Sequence, residues 1–277
     1  MKYILSLSIF ISFSSSLLAQ NKNYKIIYRH CFQSDTTKQL TDTIGQEATL
    51  IGNRNISSYN FSKYFGKRST TGNNNFSQNF DNMFKQKQSG TYRLRGGNFA
   101  DSLGNIVLHD KKTDSIHVRE RLFEDYVLTT EKTPEIKWAI LPEYKQINQY
   151  KCQKATAHFR GRDYTAWFTK EIPILDGPWK FCTLPGLVMD IQDAQNQVKI
   201  YAVTVEFPTS ENVPAFQPLG KKIDMSEYYT SKISFMEKDR VAMEAVLQSQ
   251  PDLAEGSVIR MPRSKNALYC IEKWADK

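Results

Sequence analysis

Apolar and polar positions alternate in short runs along most of the chain. From Tyr24 to Phe32, residues Tyr24, Ile26, Tyr28, His30 and Phe32 share one side and Lys25, Ile27, Arg29 and Cys31 the other, the period of a half-buried strand. Comparable runs at Glu47–Ile51, Gly90–Arg95, Asn105–His109, Ser115–Leu122, Tyr126–Thr130 and Ile136–Leu141 predict one meandering antiparallel sheet. Residues 69–90 break the pattern. They are rich in Asn, Gln, Ser and Gly, which bury little, and predict a polar surface insertion.

The stretch from Tyr150 to Phe207 carries the strongest signal. Cys152–Arg160 and Asp163–Glu171 read as strands flanking Gly161-Arg162, where glycine at the first central position suits a type II′ turn. That turn would set Arg160 opposite Asp163 and Thr156 opposite Trp167. Ala155, Ala157, Phe159, Tyr164, Ala166 and Phe168 then form the buried face. Cys152, Lys154, Thr156, His158, Arg160, Asp163, Thr165, Trp167 and Thr169 form the mixed one. Three small alanines leave room for a segment that packs closely. Beyond the hairpin, Gly177-Pro178 and Pro185-Gly186 are turn dipeptides, the second suited to a type II turn, and Leu187–Gln192 and Lys199–Phe207 return as strands.

Asp224 with Glu227 three residues on resembles a capping box. Tyr229, Ile233, Met236, Met243 and Leu247 then make a helical stripe that Pro251 ends, expected to pack on the alanine-bearing face. Ser257–Met261 and Ala267–Lys273 read as closing strands. The fold class expected is mainly β: a curved antiparallel sheet or half-barrel with one C-terminal helix packed on it.

Residues 1–20 read separately, as a signal peptide: Lys2, a serine-interrupted apolar run from Ile4 to Leu18, and a cleavage region at Leu17–Gln20. Residues 21–277 are then a single exported domain, periplasmic or at the cell surface, with no later segment long and apolar enough to span a bilayer as a helix. Lys2 is the leader's only charge, so its removal takes the formal charge from +8 to +7. That excess lies in scattered side chains and suits an anionic surface rather than nucleic-acid reading. With 24% charged and 12% aromatic residues the chain is too apolar to be disordered throughout.

In an oxidising compartment the four cysteines allow two bridges. If the Phe181-Cys182 segment returns alongside the Cys152 strand, Cys152 and Cys182 come into reach, and Cys31 would pair with Cys270. Reduced, buried thiols are the alternative. Their long spacings argue against a metal site, and no cofactor motif is present.

Two pieces in fixed order resemble a known family. Gly177-Pro178-Trp179-Lys180-Phe181 followed by Leu184-Pro185-Gly186-Leu187-Val188 resembles the hallmark of the GLPGLI family, exported proteins of Bacteroidetes-type bacteria. Tyr150–Ala155, Tyr164–Thr169 and Glu171-Ile172-Pro173 resemble its preceding hairpin. Thr183 replaces the family's usual first glycine, so that position does not demand a positive φ angle. The resemblance implies a curved sheet of the lipoprotein-carrier kind and carries over no activity.

Catalytic groups are hard to assemble from this sequence. His30, His109, His117 and His158 sit on predicted strands with no nucleophile elbow nearby, and Asp190 and Asp193 are not marked as an acid and base pair. The aromatics Trp167, Trp179 and Phe181 offer the better contact for a ligand or partner, against the reading in which Trp167 and Trp179 cover each other as a plug. Asp35-Thr36-Thr37, Asp42-Thr43-Ile44, Asp101-Ser102-Leu103 and Asp114-Ser115-Ile116 fit a short O-glycosylation pattern. The expected function is non-catalytic binding of an apolar or peptide ligand. The alternative is an envelope adaptor docking on an outer-membrane protein or an anionic glycan.

Overall fold

The computed structural model describes residues 22–32, 46–61, 101–122, 125–234 and 241. Among them are twelve strands of one sheet: β1 Asn23–Phe32, β2 Gln46–Gly52, β3 Ile56–Phe61, β4 Asn105–Asp110, β5 Ser115–Leu122, β6 Asp125–Lys132, β7 Ala139–Ile147, β8 Tyr150–Phe159, β9 Arg162–Thr169, β10 Leu187–Asp193, β11 Val198–Thr209 and β12 Lys221–Lys222. A helix, α1, begins at residue 225. The leader, the polar insertion, the expected strands at Gly90–Arg95, Ser257–Met261 and Ala267–Lys273, and Cys270 lie outside the described residues.

The order β12-β6-β5-β4-β3-β2-β1-β11-β10-β9-β8-β7 shows two meanders joined where β1 pairs with β11. The short β12 runs parallel to β6; all other pairs are antiparallel. The sheet is not closed into a barrel. It is nevertheless strongly curled, as chain length requires. At about 4.8 Å per strand, a flat sheet would hold β6 and β7 nearly 50 Å apart. The link between them is only residues 133–138, which reaches roughly 25 Å at full stretch. The sheet must bend until its edges come near each other, and that link bridges the gap.

The inside of the bend is the core. Tyr24, Ile26 and Tyr28 of β1, Leu50 of β2, Tyr59 of β3, Ile116 of β5 and the expected face of the hairpin (Ala155, Ala157, Phe159, Tyr164, Ala166, Phe168) belong to one buried cluster. Residues 172–188 fill it as a plug, with Phe181, Leu184 and Leu187 buried among these side chains. The small alanines are what let this segment lie so close to β8 and β9.

Several expectations are corrected. The hairpin turn is Arg160-Gly161, with φ of 48° and 74°, a type I′ geometry whose twist matches the strands. Phe159 therefore faces Arg162 and His158 faces Asp163, and each side chain keeps the expected face because the cross-strand register moves by two residues, a full side-chain period. The strand expected at Ile136–Leu141 starts at Ala139, since Ile136 and Trp138 are used to cross the gap. Strand β3 escaped the pattern because polar Ser57, Ser58 and Asn60, spread over both of its faces, are buried. At Leu184-Pro185-Gly186 the closing bond is Gly186 N–H to Leu184 O, 2.8 Å, a three-residue turn rather than type II.

The cap of α1 is as expected, the Asp224 carboxylate accepting the Glu227 N–H at 2.7 Å. Its packing is not. Tyr228 is buried with Leu122, Val127 and Ile223, so α1 covers β5 and β6 instead of the alanine face, which the plug already occupies; Ile233 is exposed. Among the described residues no helix is long and apolar enough to cross a membrane.

Candidate functional site

The plug carries two charged side chains into the core, and their partners on β1, the β4–β5 turn and β6 hold it to the β1–β6 meander. Asp176 is 2% exposed. Its carboxylate accepts the Tyr24 hydroxyl of β1 and lies 2.8 Å from the Lys111 ammonium in the β4–β5 turn. Lys111 also donates to the Tyr24 hydroxyl oxygen at 2.8 Å and to Asn53 O at 3.0 Å. Burial pushes the Asp176 carboxyl up, but the adjacent Lys111 ammonium and His109 outweigh it and leave the group below its ordinary range. At the other end, Lys180 is buried against Glu131 of β6, which also accepts the Arg160 guanidinium from the β8–β9 turn. Burial raises the Glu131 carboxyl, and Lys180 and Arg160 bring it below the usual value.

The motif residues follow from this packing. A Cβ on Gly177 would stand 2.2 Å from Phe181 O, and one on Gly186 2.1 Å from Thr169 O, so both positions exclude a side chain against immovable backbone. Gly186 also has a φ of 152°. Phe181 packs edge-on against Tyr164 and Phe159, and Trp179 tilts against Phe181. Trp179 has a φ of 56°, a rare conformation for a bulky residue, in the turn closed by Phe181 N–H to Pro178 O. Thr183 is free of positive φ, and its hydroxyl accepts the Trp138 indole N–H at 3.0 Å, tying the plug to the crossing link.

Trp167 and Trp179 do not cover each other. Trp179 belongs to the inner face, against Phe159 and Phe181, whereas Trp167 is on the outer face beneath the Lys145 ammonium, 4.4 Å from its ring centre. The same separation removes the proposed bridge. Cys152 shares the outer face with Lys145, while Cys182 belongs to the inner plug, where its thiol contacts Lys180 O. Both are free thiols, and no cysteine pair is seen among the described residues. Burial pushes the Cys152 thiol up to about 12 and the Cys182 thiol higher. Cys31 is buried in β1; its expected partner Cys270 is outside the described residues.

The histidines are dispersed. His30 is buried beside Tyr59, His109 bonds Thr133, His117 lies between Ser115 and Thr130, and His158 pairs with Asp163. Asp190 and Asp193 likewise part, to Lys145 and to the buried Arg162. Among the described residues no group of three or more His, Cys, Asp or Glu side chains could hold a metal. Of the glycosylation patterns, Ser102 is exposed and Ser115 is hydrogen-bonded to its neighbours; the two earlier ones are outside the described residues.

A groove that the sequence reading missed opens on the inner face beyond the plug. It has a volume of about 200 Å³ and is lined by Tyr144, Lys151, Gln153, Phe168, Lys170 and Glu171. Tyr144, Gln153 and Phe168 are successive cross-strand neighbours on β7, β8 and β9 and form its floor. Only the alternation of Gln153 with Lys151 hinted at it, because β7 pairs out of step between Ile140 and Tyr144.

Comparison with known proteins fits the motif. Residues 160–190 match the model of a family described as "Protein of unknown function (Porph_ging)", the GLPGLI family of uncharacterised Bacteroidetes proteins. The match covers the hairpin turn and the plug and is a likeness of that segment. No curated protein matches the chain. Two solved structures of PNGF-II, in P21 and C2 crystal forms, align with TM-scores of 0.47 and 0.46 at 13% and 14% identity. Each alignment covers 76% of this chain, which spans 33% and 32% of theirs.

Proposed function

We propose that the protein is an exported, non-catalytic binding protein of the cell envelope that takes an apolar or peptide ligand on the inner face of its curled sheet. The observation carrying this reading is the groove beside the plug, where the exposed Tyr144 ring stands among polar side chains over a floor backed by the buried Phe168. The centre of the bend is filled by the family motif, so the ligand belongs at this open end and not under the plug. Supporting the reading, the charged groups nearest the motif are used in holding the plug: Asp176 on Lys111 and Tyr24, Lys180 on Glu131. Native mass spectrometry of protein purified from its own periplasm tests it. A retained ligand mass that Tyr144→Ala abolishes is expected; an empty chain from every preparation contradicts the reading.

The adaptor reading draws on the outer face, where Trp167 is half-buried under Lys145 and Val203 is exposed. Under it, Trp167→Ala would abolish capture of an outer-membrane partner while leaving the melting temperature in place.

A further inference from the structure

We infer that the groove recognises a carboxylate, and that its ligand is an acidic peptide segment with apolar neighbours; this inference rests on the binding-protein reading above. Lys151 and Lys170 line the groove together, each beside an aromatic ring: Lys151 Nζ is 4.6 Å from the Tyr144 ring centre and Lys170 Nζ 5.9 Å from that of Phe168. Lys151 is two residues along β8 from Gln153, and Lys170 two residues along the chain from Phe168. Gln153 and Phe168 are the last cross-strand pair of β8 and β9, and Lys170 follows directly after the end of β9, so both lysines lie at this end of the hairpin and line the groove.

Two ammonium groups lining one groove repel each other, and an anion between them removes that cost. The neighbouring lysines are answered within the fold, Lys145 by Asp190 and Lys154 by Glu143, at 2.8 Å each. Glu171 is the groove's only carboxylate, and its Oε1 accepts the backbone N–H of Lys151 at 2.8 Å. That leaves the groove one positive charge in excess.

The floor favours a chain crossing the strands. Tyr144, Gln153 and Phe168 span two strand spacings, roughly 10 Å, the length of about three extended residues. An acidic residue between the ammonium groups would then place an apolar neighbour over the exposed Tyr144 ring, while Phe168 backs the floor from within the core. Pairing of a peptide along the β7 edge is disfavoured by comparison. β7 contains Pro142, breaks register between Ile140 and Tyr144, and presents Lys145, all of which blunt an edge.

Fluorescence anisotropy with two labelled, end-blocked peptides tests the inference, one alternating glutamate with leucine and the other lysine with leucine. The acidic peptide is expected to bind the wild-type protein, to weaken about tenfold in Lys151→Glu and again in Lys170→Glu, and to weaken with added salt, while melting temperatures hold. Equal binding of the lysine peptide, or unchanged affinity in both charge reversals, overturns it. Native mass spectrometry separates this failure from that of the binding reading. A ligand lost in Tyr144→Ala but kept in Lys151→Glu/Lys170→Glu removes the anion preference alone, whereas one indifferent to all three changes removes the groove.

Discussion

The Lys180 ammonium lies against the Glu131 carboxylate with the two side chains only 4% and 13% exposed, although one belongs to the plug and the other to the strand beside the far edge of the sheet. Removing one member of such a buried pair leaves the other uncompensated. Lys180→Met is therefore expected to destabilise the fold by about 3 kcal/mol, at the low end for buried pairs because Arg160 stays on Glu131. Urea unfolding checks it; a midpoint unchanged from wild type would show that the pair does not hold the plug.

Gly186→Ala and Gly177→Ala should each cost about 2 kcal/mol or more, since the added methyl meets a carbonyl oxygen that cannot turn away. Thr183→Gly, which restores the residue more usual in the family, should instead lower stability by about 1 kcal/mol, through loss of the bond to Trp138. Thermal melts of the three variants should rank them in that order.

Acid sensitivity should begin above the range in which carboxylates titrate. Burial lowers His30 to about 3, from an ordinary value near 6.5. Between those two values the unfolded chain binds a proton that the folded one does not, so this stability is present above pH 6.5 and is lost as pH falls through about 3. The slope for one proton is about 1.4 kcal/mol per pH unit. Urea midpoints measured from pH 7 to pH 4 should decline with this slope in wild type and more gently in His30→Phe.

Cys152 and Cys182 should resist iodoacetamide at pH 8 in the native protein and react fully in denaturant, because burial keeps both thiols protonated. Peptide mapping without reduction should recover both as alkylated peptides. A Cys152–Cys182 linked peptide would contradict the placement of the two sulfurs on opposite faces.

How legible the fold was in the sequence depended on which interactions set each feature. Strands β1, β5 and β8–β11 were readable because side-chain alternation is local, and the buried face of the hairpin held even though its turn was one residue away from the expected place. The plug was visible as a recognisable motif, but its purpose was not. Asp176 and Lys180 look like ordinary polar residues in a turn-rich stretch, and their partners Lys111 and Glu131 are distant in sequence. The disulfide expectation failed for a related reason: it required knowing on which side of the sheet residues 172–188 return. The site was hidden for the same reason, since the floor formed by Tyr144, Gln153 and Phe168 exists only after three strands have paired.

Hydrogen exchange of backbone amides measures most directly whether the family motif is an internal plug. The amides of Phe181, Leu187 and Val188 are bonded to Pro178 O, Ile172 O and Asp176 O inside the bend. They should exchange only through global opening, with protection equal to that of the β1 and β9 amides. Exchange of these amides within seconds, while β1 and β9 stay protected, would show that the motif moves independently of the sheet and would contradict the account.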